Sequence, residues 1–161
     1  MFDTAKLKFD DIFEDRLPHE EVRDYLIEIY ERGETAQEIA SAASAMREHL
    51  IPLPLPYEIK SKAIDVVGTG GDKSNSFNIS STVSIILAAC DCFVAKHGNR
   101  SITSKSGSAD MLEALGINLN VSIENSAKML EDTNFCFMFA QNHHPAMKHI
   151  MPIRKSIPHR T

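Results

Sequence analysis

The chain has 161 residues, 43% hydrophobic and 24% charged, so it can bury the core of one domain, or of a small domain joined to a medium one, and is not a disordered tail. Seventeen Lys and Arg against 22 Asp and Glu leave a net charge of −5, which excludes a global attraction for nucleic acid or an anionic membrane. No apolar run reaches the roughly 18 residues of a membrane span, and Met1 to Asp15 lacks the basic start and apolar centre of a secretory signal.

The first third reads as helices. Leu7, Ile12 and Phe13 suggest one before Leu17. Pro18, Glu20 and Glu21 then open a second, whose Val22, Tyr25, Leu26, Ile29 and Tyr30 fall on one buried face, with Gly33 as its stop. Thr35 and Glu38, three apart, form a capping box for a third helix with Ile39, Ala42, Ala43, Met46 and Leu50 inward. Alternating prolines over Ile51 to Pro56 forbid further helix and read as an extended connector, so the boundary is set after residue 56.

Beyond it the period changes. Ala63 to Val67 is a β-branched run ending in glycine, and Ser80 to Ala89 is apolar enough for a buried helix. Cys92 to Ala95 is the next predicted strand, Ser108 to Leu115 the next helix with Gly116 as its stop, and Ser122 to Asp132 another helix. Phe135 to Phe139 is a third strand and Pro145 to Lys155 a last helix. Strands alternating with helices imply a parallel sheet. The fold class is therefore α/β: a small helical domain over 1–56, then a parallel-sheet domain over 57–161. Cys90, Cys92 and Cys136 form no Cys-x-x-Cys pair and lie in or beside apolar runs, which points to a reducing, cytoplasmic setting.

Ligands of open parallel sheets bind beyond the C-terminal ends of the strands, so the loops there carry the chemistry. Gly68-Thr69-Gly70-Gly71-Asp72 lets backbone amides approach a phosphate, yet it matches neither a P-loop nor a dinucleotide fingerprint, and a tight turn explains it equally well. Asn78-Ile79-Ser80-Ser81 stands at a helix start, where free N–H groups favour an anion; simple capping is the alternative. Lys96-His97-Gly98-Asn99-Arg100 and Ser104 to Asp110 follow the second strand, and Gln141 to Met147 the third. Packing a cation, an imidazole and a guanidinium around a glycine is costly for a mere turn, although a solvated basic loop accounts for it too. His143, His144 and His149 match no zinc spacing.

Asp65 to Asp72, Phe77 to Ser81, Lys96 to Arg100, Ser104 to Gly116, His144 to Met147 and Pro152-Ile153-Arg154, in this order, resemble the anthranilate phosphoribosyltransferase family, and so does the helical leader at Arg32 to Thr35 and Met46 to His49. The resemblance implies transfer of phosphoribosyl from 5-phosphoribosyl 1-diphosphate to the amino nitrogen of anthranilate in tryptophan biosynthesis, with release of pyrophosphate. It implies that Gly68, Thr69, Gly70, Gly71 and Asp72 hold the diphosphate and ribose, with Asn78, Ser80, Ser81, Lys96 and Ser108 completing the donor site. Ser80 would also reach Mg²⁺. Gly68, His97, Asn99, His144 and Arg154 would line the anthranilate site, with His97, Asn99 and Arg154 closest to the chemistry and the Arg154 fork matched to the carboxylate. A homodimer through the N-terminal helices is also implied.

This sequence departs from the family pattern in places. Ser81 replaces a usual threonine, and Gln141 and His143 replace a usual proline and tyrosine at the anthranilate entrance. Family chains continue beyond Thr161 into more sheet and an Asp-Glu pair for Mg²⁺, and their leader is slightly longer. The expectation is a fragment, a truncated product, or a chain completed by a partner. Two other readings stay open: a pyrimidine nucleoside phosphorylase, which shares the architecture, and a non-catalytic relative that holds phosphoribosyl diphosphate or nucleic acid through Lys148, Arg154, Lys155 and Arg160.

Overall fold

A computed structural model describes residues 3–68, 78–101 and 107–159. In chain order the elements are α1 (Thr4–Phe13), α2 (His19–Arg32), α3 (Ala36–Glu48), α4 (Tyr57–Lys60), α5 (Ile79–Ala89), β1 (Val94–Gly98), α6 (Ser108–Ala114), α7 (Ile123–Thr133), β2 (Phe135–Phe139), α8 (Ala140–His143) and α9 (Met147–Ser156). Two compact units form, one of Met1–Ile51 with His144–Thr161, the other of Pro52–His143. The short helices α4 and α8 were not expected from the sequence.

The first unit is helical. Phe9, Ile12, Phe13, Val22, Ile29 and Ala45 form its core, and Ile150 and Ile153 of α9 complete it. The chain after His143 thus packs with the leader, although the sequence assigns it to the run 57–161. Burying two isoleucines contributes several kcal/mol, at about 1.5–3 kcal/mol for each large apolar side chain. The imidazole Nε2 of His149 adds a hydrogen bond to the Ile12 carbonyl at 2.9 Å. Tyr30 departs from its expected buried face: its side chain is exposed and stacks on the His159 ring, with centroids 3.6 Å apart.

The expected inward face of α3 is rotated. Ser41 and Ala45 are its buried residues, while Ile39 is 60% exposed and Met46 lies at the surface. Polar links to α1 select this rotation over the larger apolar stripe. The Asp3 carboxylate, which caps α1 by accepting from the Lys6 amide, also accepts from Ser41 Oγ and Gln37 Nε2, each at 2.8 Å. At the other end Lys6 Nζ pairs with Glu48 at 2.8 Å. Small side chains at 41 and 45 let the two helices approach closely.

The capping box of α3 is present, with the Glu38 amide donating to Thr35 Oγ1 and the Thr35 amide to the Glu38 carboxylate. Arg32 closes on the same carboxylate. The Arg32 guanidinium first, then Thr35, hold the Glu38 carboxyl down at about 2. Its stabilisation is therefore complete above the ordinary pKa of 4.5 and is lost as the pH falls through about 2. Melting temperatures of the wild type and Glu38→Gln should differ most at pH 5 and converge toward pH 2; a constant difference would reject the assignment.

In the second unit β1 and β2 pair in parallel, from Val94 opposite Phe135 to Gly98 opposite Phe139. Phe137 and Phe139 of β2 form a core with Ala109, Leu112 and Leu119. Burial pushes the Cys136 thiol up to about 12. The predicted strand over Ala63 to Val67 reduces to one parallel bridge, Ile64 with Val94. The ladder starts normally, with the Ile64 amide donating to the Phe93 carbonyl and the Ala95 amide to the Ile64 carbonyl. Side chains then take over its next partners. The His97 amide donates to Asp65 Oδ1 at 3.1 Å, and the Val66 carbonyl accepts from Lys96 Nζ at 2.6 Å. Helices α1 and α5 end at Asp15 and Asp91, both in the left-handed region, and α6 ends at Gly116 as expected.

Candidate active site

Chemically loaded residues of the second unit gather at the C-terminal end of β1. Lys96 is 1% exposed, and its ammonium holds the backbone at Val66, two residues ahead of Gly68. Burial lowers its pKa, and the charge of Asp65 opposes that effect. Among the described residues only the Val66 carbonyl engages the ammonium, which leaves donor capacity for a ligand.

His97 follows on the same strand, anchored through its amide by Asp65. Burial, with help from nearby His143 and Lys96, lowers its pKa below the ordinary imidazole value, whereas Asp65 acts in the opposite direction. The lowered value favours the neutral ring, which can accept a proton on one nitrogen while donating from the other.

The chain leaving β1 is tied to the start of α6. The Asn99 carbonyl accepts from the Ala109 amide at 3.2 Å and from Ser108 Oγ at 3.3 Å. Close packing forces glycine at position 98, because a Cβ there would stand 2.1 Å from Ser108 Oγ and 2.7 Å from a Phe137 ring carbon. Ser108 is thereby fixed beside Asn99 as the first residue of α6.

Asn78 caps α5, its side-chain oxygen accepting from the Ser81 amide at 3.4 Å. Ser80 lies half-buried in the first turn, where α-helical N–H groups and the dipole favour negative charge. Ser81 is fully buried, and its Oγ has no hydrogen-bond partner among the described residues. Helix α5 packs on both β1 and α6. Buried hydroxyls normally find partners, so this oxygen is suited to meeting a ligand atom.

Gly68, Asn78, Ser80, Ser81, Lys96, His97, Asn99 and Ser108 thus all belong to the second unit, and the bonds above join the Gly68 end of the first loop to β1 and β1 to α6. Thr69, Gly70, Gly71 and Asp72 lie outside the described residues. His144 and Arg154 belong to the first unit. Arg154 is half-buried on the last turn of α9, with Nη1 3.9 Å from Met151 Sδ. Asp65, which holds the His97 amide, carries no site role in the sequence reading, although a carboxylate in a β-branched run is itself a signal of a specific partner. Among the described residues no three His, Cys, Asp or Glu side chains gather as a metal site, and no helix is long and apolar enough to cross a membrane.

Two family models match the chain, and the second keeps residues 144–161 with the a/b run. Residues 2–50 match the glycosyl transferase family, helical bundle domain, and residues 60–161 the glycosyl transferase family, a/b domain. The anthranilate phosphoribosyltransferase of Sphingopyxis alaskensis is 52% identical over 142 residues, 88% of this chain and 42% of that protein. A crystal structure of anthranilate phosphoribosyltransferase from Thermus thermophilus superposes with a TM-score of 0.90 at 36% identity, over 100% of this chain and 48% of the other. The Saccharomyces cerevisiae enzyme in complex with PRPP and Mg gives 0.70 at 34% identity, over 79% of this chain and 35% of the other. This chain spans about half the length of the relatives it matches.

Proposed function

The chain belongs to the glycosyl transferase family that joins a helical bundle domain to an a/b domain, and from that premise we propose that it serves anthranilate phosphoribosyl transfer. The donor is 5-phosphoribosyl 1-diphosphate, and the products are N-(5-phosphoribosyl)anthranilate and pyrophosphate, a step of tryptophan biosynthesis in the cytoplasm. The observation that carries this reading is the joining of Lys96, the Val66 to Gly68 backbone, Asn99 and Ser108 at one end of β1. The named relatives and the yeast complex support the choice of substrates.

In this reading the bond from ribose C1 to the diphosphate oxygen breaks as the amino nitrogen of anthranilate bonds to C1, and the nitrogen then gives up a proton. Negative charge accumulates on the departing diphosphate. Lys96, the N–H groups opening α5 and the Ser108 hydroxyl stabilise it, together with the backbone amides of Thr69, Gly70, Gly71 and Asp72. His97, whose burial favours the neutral ring, orients the aromatic amine or its proton, and Asn99 and His144 flank the ring. Arg154 pairs with the acceptor carboxylate.

The residues present also fit a magnesium ion. The first turn of α5 offers the Ser80 and Ser81 hydroxyls, hard oxygen donors of the kind that supplement phosphate oxygens and water around Mg²⁺, and Ser81 Oγ has no other partner among the described residues. Ser80 would hold the ion, which when bound would supply charge neutralisation to the diphosphate. The exposed Ile39 and Met46 on α3 support a homodimer through the N-terminal helices.

Arg154→Ala tests the acceptor assignment. The KM for anthranilate should rise roughly 10- to 150-fold, the equivalent of a charge-assisted hydrogen bond of about 1.5–3 kcal/mol, while the KM for the sugar donor stays within about threefold. Equal losses for both substrates would refute the carboxylate role.

A further inference from the structure

One carboxylate outside the residues assigned to donor and acceptor lies where the chain leaving β1 meets α6. Asp110 lies in the first turn of α6, and its Oδ2 accepts from two backbone amides at once, that of Ser101 at 2.9 Å and that of Gly107 at 2.8 Å. The first amide belongs to the chain leaving β1 and the second to the chain entering α6. The other oxygen, Oδ1, faces Arg100 Nη1 at 3.2 Å, while Arg100 forks onto Glu113 at 2.7 and 2.9 Å.

The two stretches touch so closely that a Cβ at Gly107 would lie 2.4 Å from the Ser101 nitrogen. Glycine at 107 is thus required by proximity to a neighbouring stretch of backbone, and the Asp110 carboxylate bridges the contact. The same junction carries Asn99 and Ser108, bonded to each other immediately beside it. The Asp110 carboxyl is held below its ordinary range, chiefly by the Ser101 and Gly107 amides and then by Arg100, so it stays ionised and accepting.

We propose that Asp110 is a positioning residue: by clasping the Ser101 and Gly107 amides on one oxygen it sets Ser108 for the phosphoribosyl donor without touching the donor itself. The proposal rests on the reading that Ser108 belongs to the donor site. Because both amides share Oδ2, an asparagine that places its carbonyl oxygen there keeps the clasp and gives up only the charge toward Arg100. The aspartate's geometry and its charge can therefore be separated by substitution.

The experiment compares Asp110→Ala, Asp110→Asn and Glu113→Gln in calorimetric titrations with 5-phosphoribosyl 1-diphosphate and Mg²⁺, and in amide hydrogen exchange without ligand. In Asp110→Ala the donor Kd should rise about tenfold or more, and the Ser101 and Gly107 amides should exchange at least about tenfold faster. Asp110→Asn should restore both to within about threefold, and Glu113→Gln should lower the melting temperature slightly with the Kd unchanged. If alanine unfolds α6, Asp110→Glu displaces the same oxygen and replaces it in the test. Unchanged donor affinity in the disrupted variants, or an asparagine variant as weak as alanine, would overturn the proposal. A wild type that binds no donor would overturn the functional reading as well, and the ligand-free exchange rates would then show whether the clasp itself exists.

Discussion

Gly98→Ala should be the most damaging single methyl in the second unit. The new carbon would lie 2.1 Å from Ser108 Oγ and 2.7 and 2.9 Å from two carbons of the Phe137 ring. The serine can turn away, but Phe137 is 7% exposed and packed among Ala109, Leu112, Leu119 and Phe139, so the ring has nowhere to go. Overpacking of this kind costs about 1–3 kcal/mol. Urea unfolding should show that loss, and donor titration should show weakened binding, since the methyl also drives Ser108 from Asn99. Wild-type stability in this variant would mean that β1 and α6 are not in such close contact.

Lys96→Met should produce the opposite split, with function lost and stability kept. The side chain is 1% exposed, and burial already opposes its charge. Methionine fills a similar volume without that desolvation, and the Val66 carbonyl it abandons belongs to a half-buried residue that water can reach. Replacing a buried charge by an apolar side chain of like size is often neutral or stabilising. The unfolding free energy should therefore stay within about 1 kcal/mol of wild type. Donor affinity should fall roughly 10- to 150-fold, the worth of a charge-assisted hydrogen bond of about 1.5–3 kcal/mol. A variant that unfolds yet still binds donor would reverse the role assigned to Lys96.

Much of this arrangement is legible in the sequence because it depends on local rules. Thr35 and Glu38 announce a helix start, Gly116 a helix stop, and the apolar run Phe135 to Phe139 a buried strand of a parallel pair. Features set by distant partners escape such reading. The rotation of α3 depends on Asp3 reaching Ser41 across the helix pair. The bridge at Ile64 stops where Asp65 and Lys96 side chains capture the backbone groups that a longer ladder would use. The packing of α9 with the leader depends on Ile150 and Ile153, whose helical spacing says which residues are buried but not against what.

The candidate site divides along the same line. Lysine, histidine, asparagine and serine around glycine mark the segments as candidates, since packing them together is costly for a mere turn. What spacing cannot reveal is why Gly98 and Gly107 must be glycine. Neither has a positive φ: Gly98 is dictated by the Phe137 ring, far along the chain, and by Ser108, and Gly107 by the Ser101 backbone, whose atoms would lie 2.7, 2.1 and 2.4 Å from a hypothetical Cβ.

The central claim is that the loops beyond β1 form one pocket for a sugar diphosphate. Backbone amide resonances followed during titration with 5-phosphoribosyl 1-diphosphate and Mg²⁺ test it most directly. Saturable shifts should concentrate at Val66 to Gly68, Asn78 to Ser81, Lys96 to Asn99 and Ser108, with α1, α2 and α3 silent. Shifts confined to those three helices, or none at millimolar donor, would contradict the account.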